Sequence, residues 1–282
     1  MSGNTLKRSA LAALSSGVLL ISAMDAWAGD LSAKAGTHNV APTAPAYNWS
    51  GFYVGGHVGY GWGGGNSTGF APLPDPVVFG SFRPETLSSD LEAGFGGGQI
   101  GINWHFAQRW VAGAEVDYSK SNLDGSAINN AISSNAGVAV PGAFISTSQS
   151  INWFGTVRGR LGYLPVENLL LYVTGGLAHG SVDYAATLDY RPAGPNAHFP
   201  ASVSRNKTGW VAGTGAEWAF SRDWSAKVEY LYYDLGDESA TVERLPIPLA
   251  PFLMRYDWET KFQTVRFGLN YKFGAPIVAN SY

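Results

Sequence analysis

The chain has 282 residues, a net charge of −3 at pH 7, 36 Gly, 10 Trp, 14 Tyr, 14 Phe and no Cys. Only 14% of its residues are charged, against about 25% in an average soluble domain. This balance gives no electrostatic support for nucleic-acid binding, and the lack of Cys excludes disulfides, a zinc–thiolate site and a Cys nucleophile in this chain.

The first segment has the pattern of a targeting signal. Lys7 and Arg8 precede an apolar run at 11–24, and the small-residue motif "AWA" follows at 26–28. The run is too short for a membrane-spanning helix, so residues 1–28 are predicted to be a secretory signal peptide rather than a buried N-terminal helix. Residues 29–48 are rich in Ala, Pro, Thr and Asn, which predicts a flexible leader.

Eight later segments alternate between apolar and polar side chains, as β-strands do. They cover roughly 50–62, 91–106, 110–120, 149–163, 168–182, 207–220, 224–233 and 261–273. Each is long enough to cross a bilayer as a tilted strand, which needs about 9–11 residues. The connectors 107–109, 165–168 and 221–223 are short, whereas 63–90, 121–148, 183–206 and 234–260 are long.

This asymmetry predicts an all-β protein, an eight-stranded antiparallel up-and-down transmembrane β-barrel over residues 49–274. Residues 275–282 follow it as a tail. In transmembrane barrels the short turns face the periplasm and the long loops face outward, so we expect the four long connectors to be external.

One phase of the alternation is apolar and carries large aromatic residues at the strand ends, with smaller residues between them. Such rings suit the two membrane–water interfaces, so the apolar phase is predicted to face lipid. A water-soluble barrel would have the opposite polarity. The predicted aromatic girdles comprise Phe52, Trp62, Trp104, Phe106, Trp110, Tyr118, Trp153, Tyr163, Trp210, Trp218, Trp224, Tyr230, Tyr271 and Phe273.

The opposite phase carries charges and many glycines, and it is predicted to face the lumen. Glu115, Arg158, Glu229 and Arg266 each lie five residues from a lower-rim aromatic. We therefore expect them to share one layer, with Glu115 beside Arg158 and Glu229 beside Arg266. The layer is interpreted as a paired polar plug, since buried charges need partners. A catalytic or ion-selective site is the alternative. Asn152 is assigned to this inward phase, while Phe95 and Tyr184 fall off-phase and are interpreted as bulges or frayed ends.

Several stretches resemble the opacity-type outer-membrane β-barrel family of Gram-negative bacteria, whose members are often labelled porin-family or outer-membrane immunogenic proteins. They are "NWSGFYVGGHVGYGW" (48–62), "NWFGTVRGRLGY" (152–163), "LLYVTGGLAHG" (170–180) and "TVRFGLNYKFG" (264–274). The resemblance implies a barrel in the bacterial outer membrane with variable external loops. It also implies two partners, outer-membrane lipid and the barrel-insertion machinery. That machinery reads a C-terminal aromatic, for which Phe273 and Tyr282 are both candidates.

Few residues offer chemistry. His179, Ser181 and Asp183 follow one another on one strand face, but residues two apart in a strand lie roughly 6.5–7 Å apart. The sequence therefore predicts no enzyme, no cofactor and no metal site, and a membrane-embedded lipid hydrolase is only a distant alternative. A narrow diffusion pore is the nearer alternative.

The long connectors are the remaining candidates for function. Residues 234–260 hold six acidic and two basic residues and the apolar run "LPIPLAPFLM" at 245–254. The run is interpreted either as folding onto the barrel mouth or the membrane, or as binding an extracellular protein partner. The chain is thus predicted to be a structural or surface-interaction protein of antigen or adhesin type.

Overall fold

A computed structural model describes residues 47–73, 85–132, 138–190, 198–243 and 253–273. The predicted signal peptide, most of the leader and the tail lie outside these ranges, as does most of the apolar run at 245–254. In the described ranges no helix has the length and apolar character needed to cross a bilayer.

The prediction of an eight-stranded antiparallel barrel is confirmed. Each strand pairs with its sequence neighbours and β8 pairs with β1, which closes the sheet. The strands are β1 (Gly51–Leu73), β2 (Glu85–Phe106), β3 (Trp110–Asn129), β4 (Phe144–Val166), β5 (Leu169–Asp189), β6 (His198–Ala219), β7 (Trp224–Glu243) and β8 (Leu253–Lys272). The sequential pairing follows from the short turns at 107–109, 167–168 and 220–223, because short connections place consecutive strands side by side in antiparallel orientation.

The strands are longer than the sequence pattern predicted. β3, for example, has 20 residues and β4 has 23. Much of the predicted long loops 63–90, 121–148, 183–206 and 234–260 is therefore strand, and that part of the prediction is wrong. The alternation continues in these segments with the opposite polarity, as on β3, where Leu123 points inward and Lys120 and Asp124 are exposed. A search for apolar residues in the outward phase misses such strands.

The reversal of polarity divides the barrel wall into two halves. The lower half runs from the short turns to the upper row of aromatics, which on β3 means Trp110–Tyr118. Its outward side chains are apolar, and Val58 and Val157 remain 66% and 58% exposed. Its inward side chains are mostly polar or charged, and Glu115 is only 2% exposed. The inward and outward phases assigned from the sequence hold throughout this half, with Asn152 as the exception.

The upper half, from Ser119 onward on β3, has an apolar core and a polar exterior. Phe95 and Tyr184 belong to this core, so their interpretation as bulges or frayed ends is wrong. Their side chains point inward because the alternation in this half places apolar residues on the inside and polar residues on the outside. The buried core residues include Phe70, Leu91, Phe95, Leu123, Ile145, Ile151, Phe154, Val182, Tyr184, Leu188, Phe199, Leu231, Tyr233, Met254, Tyr256, Trp258 and Phe262.

Irregular pairing marks the junction of the halves on four strands. The register shifts between Gly63 and Asn66 on β1, between Lys120 and Leu123 on β3, between Ile151 and Trp153 on β4, and between Asp234 and Asp237 on β7. A one-residue insertion moves the following side chains to the other face. Asn152 lies at the β4 irregularity and is exposed, and its Nδ2 donates to Asp183 Oδ2 at 2.7 Å. Its predicted place in the lumen is therefore wrong.

The upper half is not paired along its whole circumference. β6 and β7 pair from Ala219↔Ser225 up to Trp210↔Asp234, and the ladder ends there. Above that point β6 continues only against β5, as far as Asp189↔His198. β7 likewise continues only against β8, as far as Glu243↔Leu253. We call this stretch, residues 200–208 of β6 and 235–243 of β7, the β6–β7 seam.

The segment before β1 packs against the lower mouth of the barrel. Trp49 is buried with Val111, Leu164 and Leu170, and its Nε1 donates to Glu167 O at 2.9 Å. The Tyr47 ring lies 4.8 Å from that of Trp49. Tyr47 thus contacts the barrel although the sequence assigned it to the leader, because an indole beside it anchors the segment.

Candidate functional site

The four charged residues predicted to form a plug lie together in the lower lumen. Glu115 is the cross-strand partner of Arg158, and Glu229 is that of Arg266. Glu115 Oε1 lies 2.5 Å from Arg158 Nη2, and Glu229 Oε2 lies 2.5 Å from Arg266 Nε. Short N–H···O bonds between ions are the stronger kind of hydrogen bond, so both pairs link neighbouring strands through the lumen.

Four further charged side chains complete this layer. Asp117 Oδ2 lies 3.1 Å from Arg158 Nη2, and Glu217 Oε2 lies 3.0 Å from Arg160 Nη1. Lys227 Nζ lies 2.7 Å from Glu115 Oε2. We call the full set the lumen cluster. It consists of Glu115, Asp117, Glu217, Glu229, Arg158, Arg160, Lys227 and Arg266, all at most 5% exposed.

The cluster is electrically balanced, with four carboxylates and four cations. Glu115 is its centre, because its Oε1 also lies 3.1 Å from Arg266 Nη2. Balance matters because an isolated buried charge loses several kcal/mol of hydration, whereas a paired and hydrogen-bonded one recovers most of it. The geometry is that of a crosslink between β3, β4, β6, β7 and β8.

Two tyrosines, which the sequence analysis did not single out, extend into the cluster. Tyr53 Oη donates to Glu115 Oε2 at 2.7 Å, and Tyr172 Oη donates to Glu229 Oε1 at 2.8 Å. Their rings lie over glycines: a Cβ on Gly101 would be 2.7 Å from Tyr53 Cε1, and one on Gly215 would be 2.6 Å from Tyr172 Oη. An inward Tyr beside an inward Gly on the next strand is the signal that could have identified them.

A polar triplet and an aromatic layer lie above the cluster. His57 Nδ1 lies 2.5 Å from Gln99 Oε1, and its Nε2 lies 2.8 Å from Ser119 Oγ. Over this level Phe154 packs against three other rings, with centroids 5.2–5.3 Å away: Phe95, Tyr233 and Phe262. The lumen thus changes from charged to apolar within the space of one aromatic layer.

The fourteen aromatics predicted as girdles all point outward, eleven exposed and Trp62, Trp153 and Tyr271 partly so. In the lower row, rings from neighbouring strands meet, as at Trp110–Tyr163 with centroids 5.5 Å apart. In the upper row Tyr118 stacks on Trp153 at 5.8 Å. Eight to ten residues separate the rows on β3 and β4, which at about 3.4 Å per residue and a tilt of about 40° gives roughly 21–26 Å. This height fits the hydrocarbon band of a transmembrane barrel, about 25 Å.

The family follows from a match over most of the chain. Residues 16–273 match the family model described as outer membrane protein beta-barrel domain. The chain belongs to this outer-membrane β-barrel family.

Relatives within the family are similar along nearly their whole length. The 31 kDa outer-membrane immunogenic protein of Brucella melitensis is 38% identical over 245 residues, covering 83% of this chain and 88% of that protein. The 25 kDa outer-membrane immunogenic protein of Brucella abortus is 26% identical, covering 82% of each. Among solved structures, OprG from Pseudomonas aeruginosa is 11% identical with a TM-score of 0.43, covering 81% of this chain and 98% of that one. The family match and the Brucella relatives identify the protein as an outer-membrane β-barrel of the Gram-negative type.

In this outer-membrane β-barrel, the histidine considered for catalysis lies at the upper aromatic row. His179 is exposed, its Nδ1 lies 2.7 Å from Thr208 Oγ1, and its ring centroid lies 5.5 Å from that of Trp153. Asp183 is hydrogen-bonded to Asn152 and Ser204, which lowers the pKa of its carboxyl. His179 and Asp183 are therefore engaged with other residues, and the hydrolase alternative gains no support.

Of the two candidate assembly signals, Phe273 lies among the described residues and Tyr282 does not. Phe273 follows the last strand of the outer-membrane β-barrel, its ring is exposed, and its N–H donates to Phe52 O at 2.9 Å. Tyr282 lies outside the described residues. The choice between them stays a prediction.

Over the described ranges, no three His, Cys, Asp or Glu side chains are grouped so as to hold a metal ion.

Proposed function

We propose that this outer-membrane β-barrel is a non-enzymatic surface-interaction protein whose upper half is the interaction module. The observation that carries the proposal is strand length. A strand needs about 9–11 residues to cross the bilayer, yet β3 continues for eleven residues beyond Tyr118, to Asn129. At the same rise and tilt this adds roughly 25–30 Å of wall.

The construction of the upper half supports that role. It has its own apolar core and an outer surface rich in Ser and Thr, such as Ser126, Ser148 and Thr187. A hydrated rigid wall of this kind can present residues to a macromolecular partner at a fixed distance from the membrane. The names of the Brucella relatives, which call them immunogenic, agree with surface display.

The two residues of the apolar run that are described favour folding onto the barrel. Met254 is fully buried in the upper core, and Leu253 is half-buried. Residues 245–252 lie outside the described ranges, so a role for them in partner binding stays a prediction.

The diffusion-pore alternative has less support. The described lumen is filled at three levels: the Trp49 cluster, the lumen cluster and the aromatic layer around Phe154, each with side chains at most 7% exposed. An eight-stranded barrel is just wide enough to be filled by its own side chains. We expect the refolded protein to show no steady conductance in planar bilayers, and a stable open level would favour the pore.

Surface display is tested by epitope tags on intact cells. A tag after Pro141, in the connection between β3 and β4, is expected to bind antibody. A tag after Pro165, at the short-turn end, is the control and is expected to bind only after the membrane is permeabilised. Labelling of the second tag on intact cells would contradict the orientation, and with it the proposed role of the upper half.

A further inference from the structure

The β6–β7 seam leaves two strand edges facing each other in the upper half. Among the described residues, no strand pairs with the seam side of β6 above Trp210 or with that of β7 above Asp234. The other ladders end higher up the wall: the β2–β3 ladder ends at Glu92↔Asp124, six residues above Tyr118, and the β3–β4 ladder continues to Asn129↔Ile145. Unpaired strand edges are templates for another extended chain, because only a second backbone can bond to their N–H and C=O groups in series.

Charged side chains close the lower end of the seam. Glu238 Oε1 lies 3.2 Å from Arg205 Nε, and Glu238 Oε2 lies 3.3 Å from Lys207 Nζ. Lys207 also donates to the backbone oxygen of Asp237. Side chains bridge the two strands there in place of a ladder, and Gly236, with φ of +74°, lies within the β7 irregularity between Asp234 and Asp237. The seam above Glu238 has no such bridge among the contacts the structure shows.

The two faces of the seam have different chemistry. On the inward face, Ala240 and Val242 of β7 are half-buried and pack against the upper core. On the outward face, β7 presents Asp237 and Glu243, and β6 presents neutral side chains such as Ser202 and Ser204. The neighbouring wall of β8 adds Asp257 and Glu259 next to Asp237 in a depression of about 420 Å³ that Arg255 also lines. Arg255 pairs with Asp257 at 2.7 Å and Lys261 lies 4.0 Å from Glu259, so Asp237 and Glu243 are the acids considered for a partner.

We propose that the β6–β7 seam is a strand-addition site for an extended basic segment of an extracellular protein. The segment bonds to the free edge of β7, turns small apolar side chains toward Ala240 and Val242, and places Lys or Arg over Asp237 and Glu243. The charge pattern selects this partner, since opposite charges on adjacent strands stabilise pairing and like charges oppose it. The proposal rests on the proposed function, because it requires the upper half to be external.

The test uses the full-length protein refolded into lipid nanodiscs and a fluorescent nine-residue peptide of alternating Lys and Val. Nine residues match the length of the seam. A second peptide has Glu in place of Lys, and a third carries backbone N-methyl groups on every residue, because alternate N–H groups of a strand point to opposite edges. The third keeps the charge and loses the backbone donors. We expect the Lys peptide to bind, the Glu peptide not to bind, and the N-methylated peptide to bind about tenfold or more weakly.

Protein variants locate the site. Asp237→Lys with Glu243→Lys is expected to weaken Lys-peptide binding about tenfold, through two cross-strand charge pairs. Asp124→Lys, at an exposed acid on the opposite wall, is the matched control and is expected to change it less than twofold. Both sets are surface substitutions, and refolding is checked by resistance of the barrel to urea.

Two results would overturn the strand-addition site. Equal binding of the N-methylated and parent peptides would show attraction by charge alone, and an equal loss in the Asp124→Lys control would show that the acids of the seam have no special part. The tags after Pro141 and Pro165 report on orientation independently. Correct tag labelling with no peptide binding would reject the seam and leave the proposed function standing, whereas reversed labelling would reject both.

Discussion

The lower and upper halves of this barrel share the same eight strands, but the polarity of their inward and outward faces is opposite. Below the upper aromatic row, Val157 faces out and Arg158 faces in, whereas above it Leu123 is buried and Asp124 is exposed. The same two strands pair on both sides of the change, with Val116↔Val157 below it and Leu123↔Ile151 above it, and the register shifts between Lys120 and Leu123. Because both halves use the same antiparallel pairing, the environment outside the wall, lipid or water, selects which side chains are tolerated on each face.

The largest expected effect on stability comes from removing one charge from the balanced lumen cluster of the lower half. Glu115→Gln removes a carboxylate that contacts Arg158, Lys227 and Arg266. The orphaned cations should lower the free energy of unfolding by about 3–5 kcal/mol. Urea unfolding of the refolded protein measures the loss.

The double variant Glu115→Gln, Arg158→Gln is the control for pairing. It removes one acid and one base and keeps the cluster neutral, so its loss should be smaller than the sum of the two single losses. Strictly additive losses would contradict the pairing of these two side chains.

A matched pair on β4 tests the outer surface of each half. Val157→Arg places a cation on the lipid-facing wall and should lower the stability by about 2–4 kcal/mol. Ser148→Arg, at an exposed position of the same strand in the upper half, should change it by no more than about 0.5 kcal/mol. Unfolding after refolding into lipid vesicles compares the two, and equal losses would contradict the boundary at the upper aromatic row.

The lower mouth offers a smaller test. Trp49→Phe keeps an aromatic ring in the cluster with Leu164 and Leu170 and removes the donor to Glu167 O. The loss of one hydrogen bond should lower the stability by about 0.5–1.5 kcal/mol. Trp49→Ala, which also leaves a cavity, should cost more, and an equal cost for both would show that the ring does not pack there.

The smallest effect concerns pH in the upper half. Hydrogen bonds from Ser204 and Asn152 lower the pKa of Asp183. A carboxyl whose pKa is lower in the folded than in the unfolded state contributes stability above its unfolded pKa of about 3.9 and loses it as the pH falls through the folded value. Asn152→Ala should therefore reduce the difference in stability between pH 7 and pH 3. An unchanged difference would mean that Asn152 does not affect this carboxyl.

The sequence predicted the lower half in detail because its pattern is specific. Outward apolar residues, aromatic rows at strand ends and charges in the opposite phase occur together only where lipid surrounds the wall, and they placed both Val157 and Arg158 on their observed faces. The upper half escaped prediction for the complementary reason. Its strands alternate with the same period, but their apolar side chains are buried and their polar side chains face outward. A search for outward-facing apolar residues therefore classifies these strands as polar loops.

Two further features depend on three-dimensional geometry. The irregularity at Asn152 shifts the phase of β4 by one residue, and nothing in the local sequence marks it. The convergence of Asp117, Glu217, Arg160 and Lys227 on the predicted four depends on the stagger of the strands and on side-chain length, which the count from the rim does not contain. Equal height along a strand is therefore a useful but incomplete guide to contact in a tilted barrel.

The lumen cluster also ties charge balance to closure of the barrel. Along the chain its charges come as two acids on β3, two bases on β4, one acid on β6, a base and an acid on β7, and finally Arg266 on β8. The first seven strands therefore contribute four acids and three bases to the cluster, and β8 contributes the fourth base. Because β8 also pairs with both β1 and β7, the strand that closes the wall is the strand that neutralises the cluster.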